Sequence, residues 1–238
     1  IEYITAAKNI GADSNFLTVK RQGAAHDSKS ADGGFVSASL LREHLINKDC
    51  EFCKKYIPEN VFNLFVGDGI ADIKRIETAV LAVLRTKTPE ELKNLPDLSE
   101  GIENKLFSSI RVATSLEELY NTVKVKRYTH ARIRRLVLSA FLNIDNTFFM
   151  KAPPYVRVLG FSKRGEEQLK TQIPLSPLPI VMRADEIKGI GDNAVKLFNS
   201  ECRATDIFSL ATARILPCGL EYTAKIIRDE QNEVKKAR

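Results

Sequence analysis

A dense run of positive charge lies near the middle of the sequence, in segment 124–135, which reads KVKRYTHARIRR. It holds one histidine and no acid, and such a run repels itself unless a polyanion faces it. Arginine also grips phosphate with two parallel hydrogen bonds. The segment therefore predicts an RNA-binding surface, and the alternative is a solvated helix face. The residues predicted to contact RNA are Lys124, Lys126, Arg127, Tyr128, Thr129, Arg132, Arg134 and Arg135.

Two residues inside this basic segment have more specific predicted roles. Thr129 is a candidate helix N-cap, and the amides that follow a cap carry a partial positive charge that attracts phosphate. Tyr128 lies between the cations and can stack on an unpaired base, as aromatic side chains do in single-stranded RNA recognition. The alternative for Tyr128 is a place in the hydrophobic core.

A second candidate site is the stretch 37–42, which reads SASLLR. Ser37 is a plausible helix N-cap, so Ser37, Ser39 and Arg42 would lie in the first turns of a helix. Small residues let a phosphate approach helix amides, hydroxyls can donate to it, and a guanidinium neutralises it. Lys20 and Arg21 close the preceding predicted strand and suggest the same ligand. The alternative is an ordinary capped surface helix.

Other reactive side chains give weaker signals. His26 can act as a general base that Asp27 orients. The alternative is that both side chains are simply solvated in a polar loop. Cys50 and Cys53 form a C-x-x-C, but Cys202 and Cys218 are too far apart to supply a second close pair for zinc. We therefore expect no protein-bound metal and four reduced thiols, as in a cytoplasmic protein.

Periodicity and capping signals position these residues. We expect a helix over residues 1–10, a strand over 15–21 and a helix after Ser37. Beyond Pro58 the pattern is helical, with caps at Ser115 (a capping box with Glu118) and Thr129. After Pro154 short β-prone runs at 155–160 and 178–182 alternate with helices at 165–170 and 193–210. These elements predict an α/β remnant at 1–57, a helical domain at 58–150 and a small α/β appendage at 151–238.

Composition sets wider limits on function. The 238 residues carry a net charge of +6, with 44% hydrophobic and 28% charged residues, which is ordinary for a globular protein. The mild positive excess is weak support for a polyanionic partner. No apolar run approaches the length of roughly 20 residues that a membrane span needs, so we expect no membrane partner.

Several blocks together resemble one known family. They are the Lys20-Arg21 strand end with Gly23 and His26-Asp27, then SASLLR at 37–42, EGIEN at 100–104, KRYT at 126–129 with RIRR at 132–135, YVRVLGF at 155–161 and ATDIF at 204–208. In this order they resemble the bacterial tRNA(Met) cytidine acetate ligases, a nucleotidyltransferase-like family. The resemblance spans nearly the whole chain, and the KRYT-x-x-R-I-x-R and EGIEN blocks are its most specific parts.

The resemblance implies a fold and a reaction. It implies the C-terminal part of a Rossmann-like nucleotidyltransferase domain, followed by a mostly helical domain with an α/β appendage. The family activates acetate with ATP, accompanied by Mg²⁺, to an acetyl-adenylate and transfers acetyl to the wobble cytidine of elongator tRNA(Met). Arg21 and the turn at 37–42 (Ser37, Ser39 and Arg42) would help to hold ATP, and segment 124–135 would hold the tRNA.

One departure from the family pattern limits this interpretation. The family's H-x-G-H nucleotide-binding turn is absent, because His26, His44 and His130 are the only histidines and none has that context. Residue 1 corresponds to a point well inside the family's first domain. We therefore expect the chain to bind tRNA but not to form the adenylate. Two alternatives remain at this point: a non-catalytic RNA-binding module with a degenerate nucleotidyltransferase fold, and a small-molecule adenylyltransferase.

Overall fold

The computed structural model describes residues 2–20, 22–24, 28–31, 34–68, 70–98, 101–148 and 152–229. It divides into two compact units, Ile1–Asp68 and Gly69–Arg238. The predicted boundary at 57/58 falls inside the first unit, before its last helix, and the predicted three-part division stays a prediction. Within the described residues no helix is both long enough and apolar enough to cross a membrane.

Four helices form the regular structure of the first unit among the residues that the structure describes. Its helices are α1 (Glu2–Asn9), α2 (Ala38–Ile46), α3 (Cys50–Lys54) and α4 (Glu59–Asp68). The helices predicted at 1–10 and after Ser37 are confirmed, and the C-x-x-C lies in α3 with both thiols free.

The strand predicted at 15–21 is wrong for its described part. Residues 12–20 form neither helix nor strand. A strand needs a neighbour to accept its ladder hydrogen bonds and an apolar surface to cover one face. Leu17 and Val19 instead expose 92% and 94% of their surface, so no described residue covers their β-prone side chains.

The second unit begins with a bundle of helices. They are α5 (Glu77–Thr86), α6 (Pro89–Lys93), α7 (Ile102–Val112), α8 (Leu116–Val123) and α9 (His130–Leu142). One face of α9 points into a shared core, in which Ile133, Leu136, Val137, Ala140 and Phe141 are all buried at helical spacing. This core fixes how the basic segment between α8 and α9 is presented.

The helix caps predicted at Ser115 and Thr129 are confirmed, with one difference in the capping box at Ser115. Thr129 caps α9 through its hydroxyl, which accepts from the amide of Arg132 at 3.3 Å. Ser115 caps α8, accepting from the amide of Glu118 at 3.1 Å. The Glu118 carboxylate, however, accepts from the amide of Thr114 at 2.8 Å, one residue earlier than a capping box requires. Its pKa is lowered mainly by that backbone hydrogen bond.

The chain then forms a small α/β region. Its elements are β1 (Val156–Arg157), β2 (Gly160–Ser162), α10 (Lys163–Gln172), β3 (Ile180–Val181), α11 (Asp192–Leu210), α12 (Leu220–Thr223) and β4 (Ile227–Asp229). The strands form two parallel pairs, β1 with β3 and β2 with β4. Gly160 suits the second pair, because a Cβ there would lie 3.0 Å from the carbonyl oxygen of Ile227.

Helix α11 connects the two cores of this unit. Phe198 and Cys202 of this helix pack with Tyr155 and Ile187 of the α/β region. Ile207 near its end packs against the core of the helical bundle. The second unit is therefore one packed body.

Candidate nucleic-acid interface

The basic segment 124–135 forms the connection from α8 to α9 and the first turns of α9. The amide of Tyr128 donates to the carbonyl of Val125 at 3.1 Å, which closes a turn before the helix begins. Thr129 then caps the helix, whose first turn contains no acid. Cations and a helix N-terminus therefore share one surface, as the sequence predicts.

Tyr128 occupies a different place from the one its stacking role needs. Its side chain is only 4% exposed and belongs to the core of the helical bundle. The guanidinium of Arg132 lies 4.6 Å from the centre of its ring. The stacking role predicted for Tyr128 does not fit this burial, because a buried ring offers no face to a base. In this structure Tyr128 supports Arg132 instead.

A neighbouring turn holds two of the predicted arginines. Arg132 donates through Nε, at 2.9 Å, and through a second nitrogen to the backbone carbonyl of Asp97. Arg135 forms an ion pair of 3.2 Å with the Asp97 carboxylate, and both side chains remain more than half exposed. Asp97 has a left-handed backbone, with a φ of +61°, that L residues rarely adopt. The sequence reasoning did not identify Asp97, since no sequence pattern marks a lone acid after Pro96.

The other cations of the segment differ in their surroundings. Lys124 donates to the carbonyl of Val125 at 3.0 Å. The guanidinium of Arg134 lies 5.5 Å from the ring centre of Tyr120. Burial raises the pKa of the Tyr120 hydroxyl, and the positive charge of Arg134 opposes this rise. Lys126 and Arg127 are exposed, and neither forms an ion pair with another residue that the structure describes. These two are the cations best placed to meet a phosphate.

The second candidate site lies in the first unit, at the start of α2. Ser37 is 2% exposed; its hydroxyl accepts from the amide of Leu40 at 3.1 Å and donates to the carbonyl of Ser28 at 2.7 Å. Both hydrogen bonds use the Ser37 hydroxyl, which the sequence predicts to bind a phosphate. That hydroxyl is therefore engaged within the protein. Ser39 is half-buried and Arg42 is exposed. Arg21, His26 and Asp27 lie outside the described residues.

Metal ligands do not gather in the part of the chain that the structure describes. No group of three or more His, Cys, Asp or Glu side chains there could hold an ion. The closest polar pairing of this kind is His44 Nδ1 with Asp49 Oδ2 at 2.9 Å, and that hydrogen bond lowers the pKa of Asp49. Burial raises the pKa of the Cys53 thiol, so this cysteine suits packing better than reaction.

The fold belongs to a known class of protein. Residues 1–218 match the model of the HIGH nucleotidyl transferase family, and the chain belongs to that family. Its relatives agree with the resemblance seen in the sequence, which is confirmed. The chain is 34% identical over 235 residues to a tRNA(Met) cytidine acetate ligase of Thermoanaerobacter sp. (strain X514), a match that covers 96% of this chain and 58% of the relative. It is 32% identical over 190 residues to the ligase of that name from Thermotoga maritima, covering 76% of this chain and 46% of the relative.

Solved structures agree with this relationship. Thermotoga maritima TmcAL in an apo form superposes with a TM-score of 0.88 at 27% identity, over 96% of this chain and 59% of that one. The same protein bound to alpha-thio ATP gives a TM-score of 0.83 at 25% identity, over 96% of this chain and 58% of that one. The nucleotidyltransferase-like fold is thereby confirmed. The chain spans 58% of the length of the first curated relative it matches.

Proposed function

We propose that this chain is the tRNA-binding part of a ligase that activates acetate with ATP and acetylates the wobble cytidine of elongator tRNA(Met) in the cytoplasm. The observation that carries the proposal is the cationic segment 124–135, which contains no acid and leads into the start of α9, in a chain similar to tRNA(Met) cytidine acetate ligases over 96% of its length. Phosphate contacts fix the orientation of a nucleic acid, and helix N-termini and arginines commonly provide them.

The cations of this binding surface fall into two groups. Lys126, Arg127 and Arg134 are exposed and meet the phosphates directly. Arg132 and Arg135 are held by Asp97, and their remaining donors face the RNA from a fixed position. Thr129 caps the helix that carries Arg132, Arg134 and Arg135, and Lys126 and Arg127 lie in the turn directly before it.

ATP belongs to the proposed reaction of the intact ligase, together with Mg²⁺. The bound alpha-thio ATP in Thermotoga maritima TmcAL supports a nucleotide site in a protein of this fold. We assign Arg21, Ser39 and Arg42 to its phosphates. Ser37 takes the role of a positioning residue, because its hydroxyl holds the turn between Ser28 and Leu40.

Salt-dependent binding tests the RNA surface. Each phosphate contact contributes about −0.9 to the slope of log K against log salt on a duplex. We expect the double variant Lys126→Glu/Arg127→Glu to weaken binding of elongator tRNA(Met) and to make the slope shallower by up to about 2. Fluorescence anisotropy at a series of salt concentrations, with a second tRNA for comparison, measures both quantities.

A matched control is available in the same unit. Lys163 and Arg164 are also an adjacent, exposed Lys-Arg pair, at the start of α10. The variant Lys163→Glu/Arg164→Glu makes the same change of charge outside the basic segment. Equal losses in the two variants, or equal affinity of the unaltered chain for both tRNAs, would leave only a generic basic protein and would refute the proposal.

A further inference from the structure

A groove with an exposed aromatic ring and several cations lies in the α/β region, outside the basic segment. Its volume is about 700 Å³, a size that ordinary ligand sites have. Four cations line it: Arg183, Lys188, Lys225 and Arg228. One acid, Asp185, lies among the described lining residues. The lining therefore carries a net positive charge and suits an anionic ligand.

Tyr222 supplies the aromatic ring of this groove. It is 54% exposed, and its ring packs at right angles to the ring of Phe198 with 5.2 Å between centroids. Its hydroxyl lies 3.0 Å from the side-chain oxygen of Asn199. The ring is held in place from one side and open on the other, which is the arrangement that a stacking platform requires.

Two of the four cations are available to a ligand. Arg183 pairs with Glu186 at 3.1 Å, and the guanidinium of Arg228 lies 5.7 Å from the ring centre of Phe161. Lys188 and Lys225 are exposed, and no ion pair joins either to another described residue. A lysine can meet a phosphate as a point charge without fixed geometry.

We propose that this groove binds unpaired nucleotides of RNA, with a base stacked on Tyr222 and backbone phosphates beside Lys188 and Lys225. An exposed aromatic ring between unpaired cations is the combination that single-stranded nucleic acids need. The bases inside a duplex are stacked on their neighbours and offer no face to the ring, so the groove discriminates against paired RNA. The proposal rests on the proposed function in one respect: the same tRNA supplies the unpaired stretch.

The test uses the full 238-residue chain and two RNA probes, a single strand of about ten nucleotides and a blunt duplex of the same length. We expect Tyr222→Ala to weaken single-strand binding about tenfold and duplex binding far less. Tyr222→Phe is the matched control, because it keeps the ring and removes only the hydroxyl. Thermal unfolding of each variant verifies that Phe198 stays packed.

The two lysines give an independent measurement. Lys188→Ala/Lys225→Ala should reduce the salt slope for the single strand by about 1.4, because each phosphate that a cation neutralises on a single strand contributes about 0.7 to the slope. The control Lys74→Ala/Lys163→Ala removes two exposed lysines that do not line the groove. Unchanged single-strand binding in Tyr222→Ala, or the same slope in both lysine pairs, overturns the proposal.

The outcomes separate this proposal from the proposed function. If Lys126→Glu/Arg127→Glu loses tRNA binding while the groove variants bind the single strand normally, the groove proposal falls and the tRNA surface stands. If the chain binds the single strand through Tyr222 but binds elongator tRNA(Met) no better than a second tRNA, the groove proposal stands and the proposed function falls. Preferential binding of an acidic peptide over both RNAs would overturn the groove as an RNA site.

Discussion

At the residue scale, the cations of the basic segment differ in what each already holds. Arg132 and Arg135 are bound to Asp97, and Lys124 is bound to a neighbouring carbonyl. Lys126 and Arg127 are exposed at the turn before α9. Substitutions at the first group change the protein's own hydrogen bonds as well as its charge. Substitutions at the second group change charge alone, and they are the cleaner probes of RNA binding.

Tyr128 gives a prediction at this scale. Because its ring is buried beneath Arg132, we expect Tyr128→Ala to lower the free energy of unfolding by about 3 kcal/mol, as truncation of a buried aromatic does. Urea unfolding measures this change. Leu138→Ala on the exposed side of α9 is the control, since that side chain is 38% exposed. A Tyr128→Ala variant with full stability and no RNA binding would restore the stacking role.

We expect the Glu221 carboxyl to make the stability of the fold depend on pH. The hydroxyl of Thr205 lies 2.6 Å from its carboxylate and Arg157 pairs with it at 2.6 Å. These interactions, the Thr205 hydrogen bond first, lower the pKa of Glu221. A carboxyl with a lowered pKa stabilises the fold above its unfolded value of about 4.3. That contribution is lost as the pH falls through the lower, folded value.

The variant Glu221→Gln tests this origin. We expect it to cost about 2 kcal/mol at pH 7, because a hydrogen-bonded charge is removed from a largely buried position. Its stability should also fall less steeply than that of the unaltered chain below about pH 4. Chemical unfolding at several pH values measures both effects. Glu167→Gln, at an exposed position of α10, should change neither, and an equal pH dependence in Glu221→Gln and the unaltered chain would contradict the assignment.

At the scale of elements, the start of α9 links folding to RNA binding. Thr129→Ala removes the cap and should cost about 1 kcal/mol of stability. The first turn carries Arg132, so fraying there should also weaken tRNA binding, and Thr129→Ser should restore both. Thr122→Ala is the control, because that hydroxyl donates to the carbonyl of Glu118 within α8. Unfolding and anisotropy measurements together decide whether the cap matters to binding.

The elements that the sequence predicted correctly are those set by local chemistry. The caps at Ser37, Ser115 and Thr129 depend on side chains within three residues of the amides they accept, and α9 follows its apolar spacing. Pairings between segments distant in sequence were missed. The pairing of β2 with β4 joins Gly160 to Ile227, and neither segment alone reveals it.

The candidate sites, too, were predictable where they depend on local sequence and were missed where they depend on distant segments. Segment 124–135 was visible as a charge pattern, but the burial of Tyr128 depends on a core that several helices build together. The engagement of Ser37 by Ser28 depends on a loop that closes back on the helix. The groove had a faint signal, since Tyr222 is followed by Lys225 and Arg228, but Arg183 and Lys188 join them only in the folded chain.

At the scale of the whole molecule, the chain carries a net charge of +6, and both the basic segment 124–135 and the groove lie in the second unit. Several modest phosphate interactions within one unit can add up to a strong and salt-sensitive association. The second unit as a whole, not one peptide segment, is therefore the element to test for tRNA preference.

The 238-residue chain by itself should separate binding from chemistry. We expect it to bind elongator tRNA(Met) and to show no acetate-dependent exchange between ATP and pyrophosphate, because its sequence contains no H-x-G-H turn. Filter binding and an exchange assay on the same preparation measure the two properties. A full-length tRNA(Met) cytidine acetate ligase serves as the positive control. Clear acetate-dependent exchange by the chain would contradict this expectation.

The turn at Asp97 has a consequence for how such experiments are interpreted. Arg135 already has a counterion in this carboxylate, and that counterion is part of the protein. A phosphate that binds this guanidinium still releases cations condensed on the RNA, but it also competes with the Asp97 carboxylate for the same side chain. Arg135 will therefore count in the salt slope like any other cation, while it adds less to the affinity than an arginine that has no partner to give up.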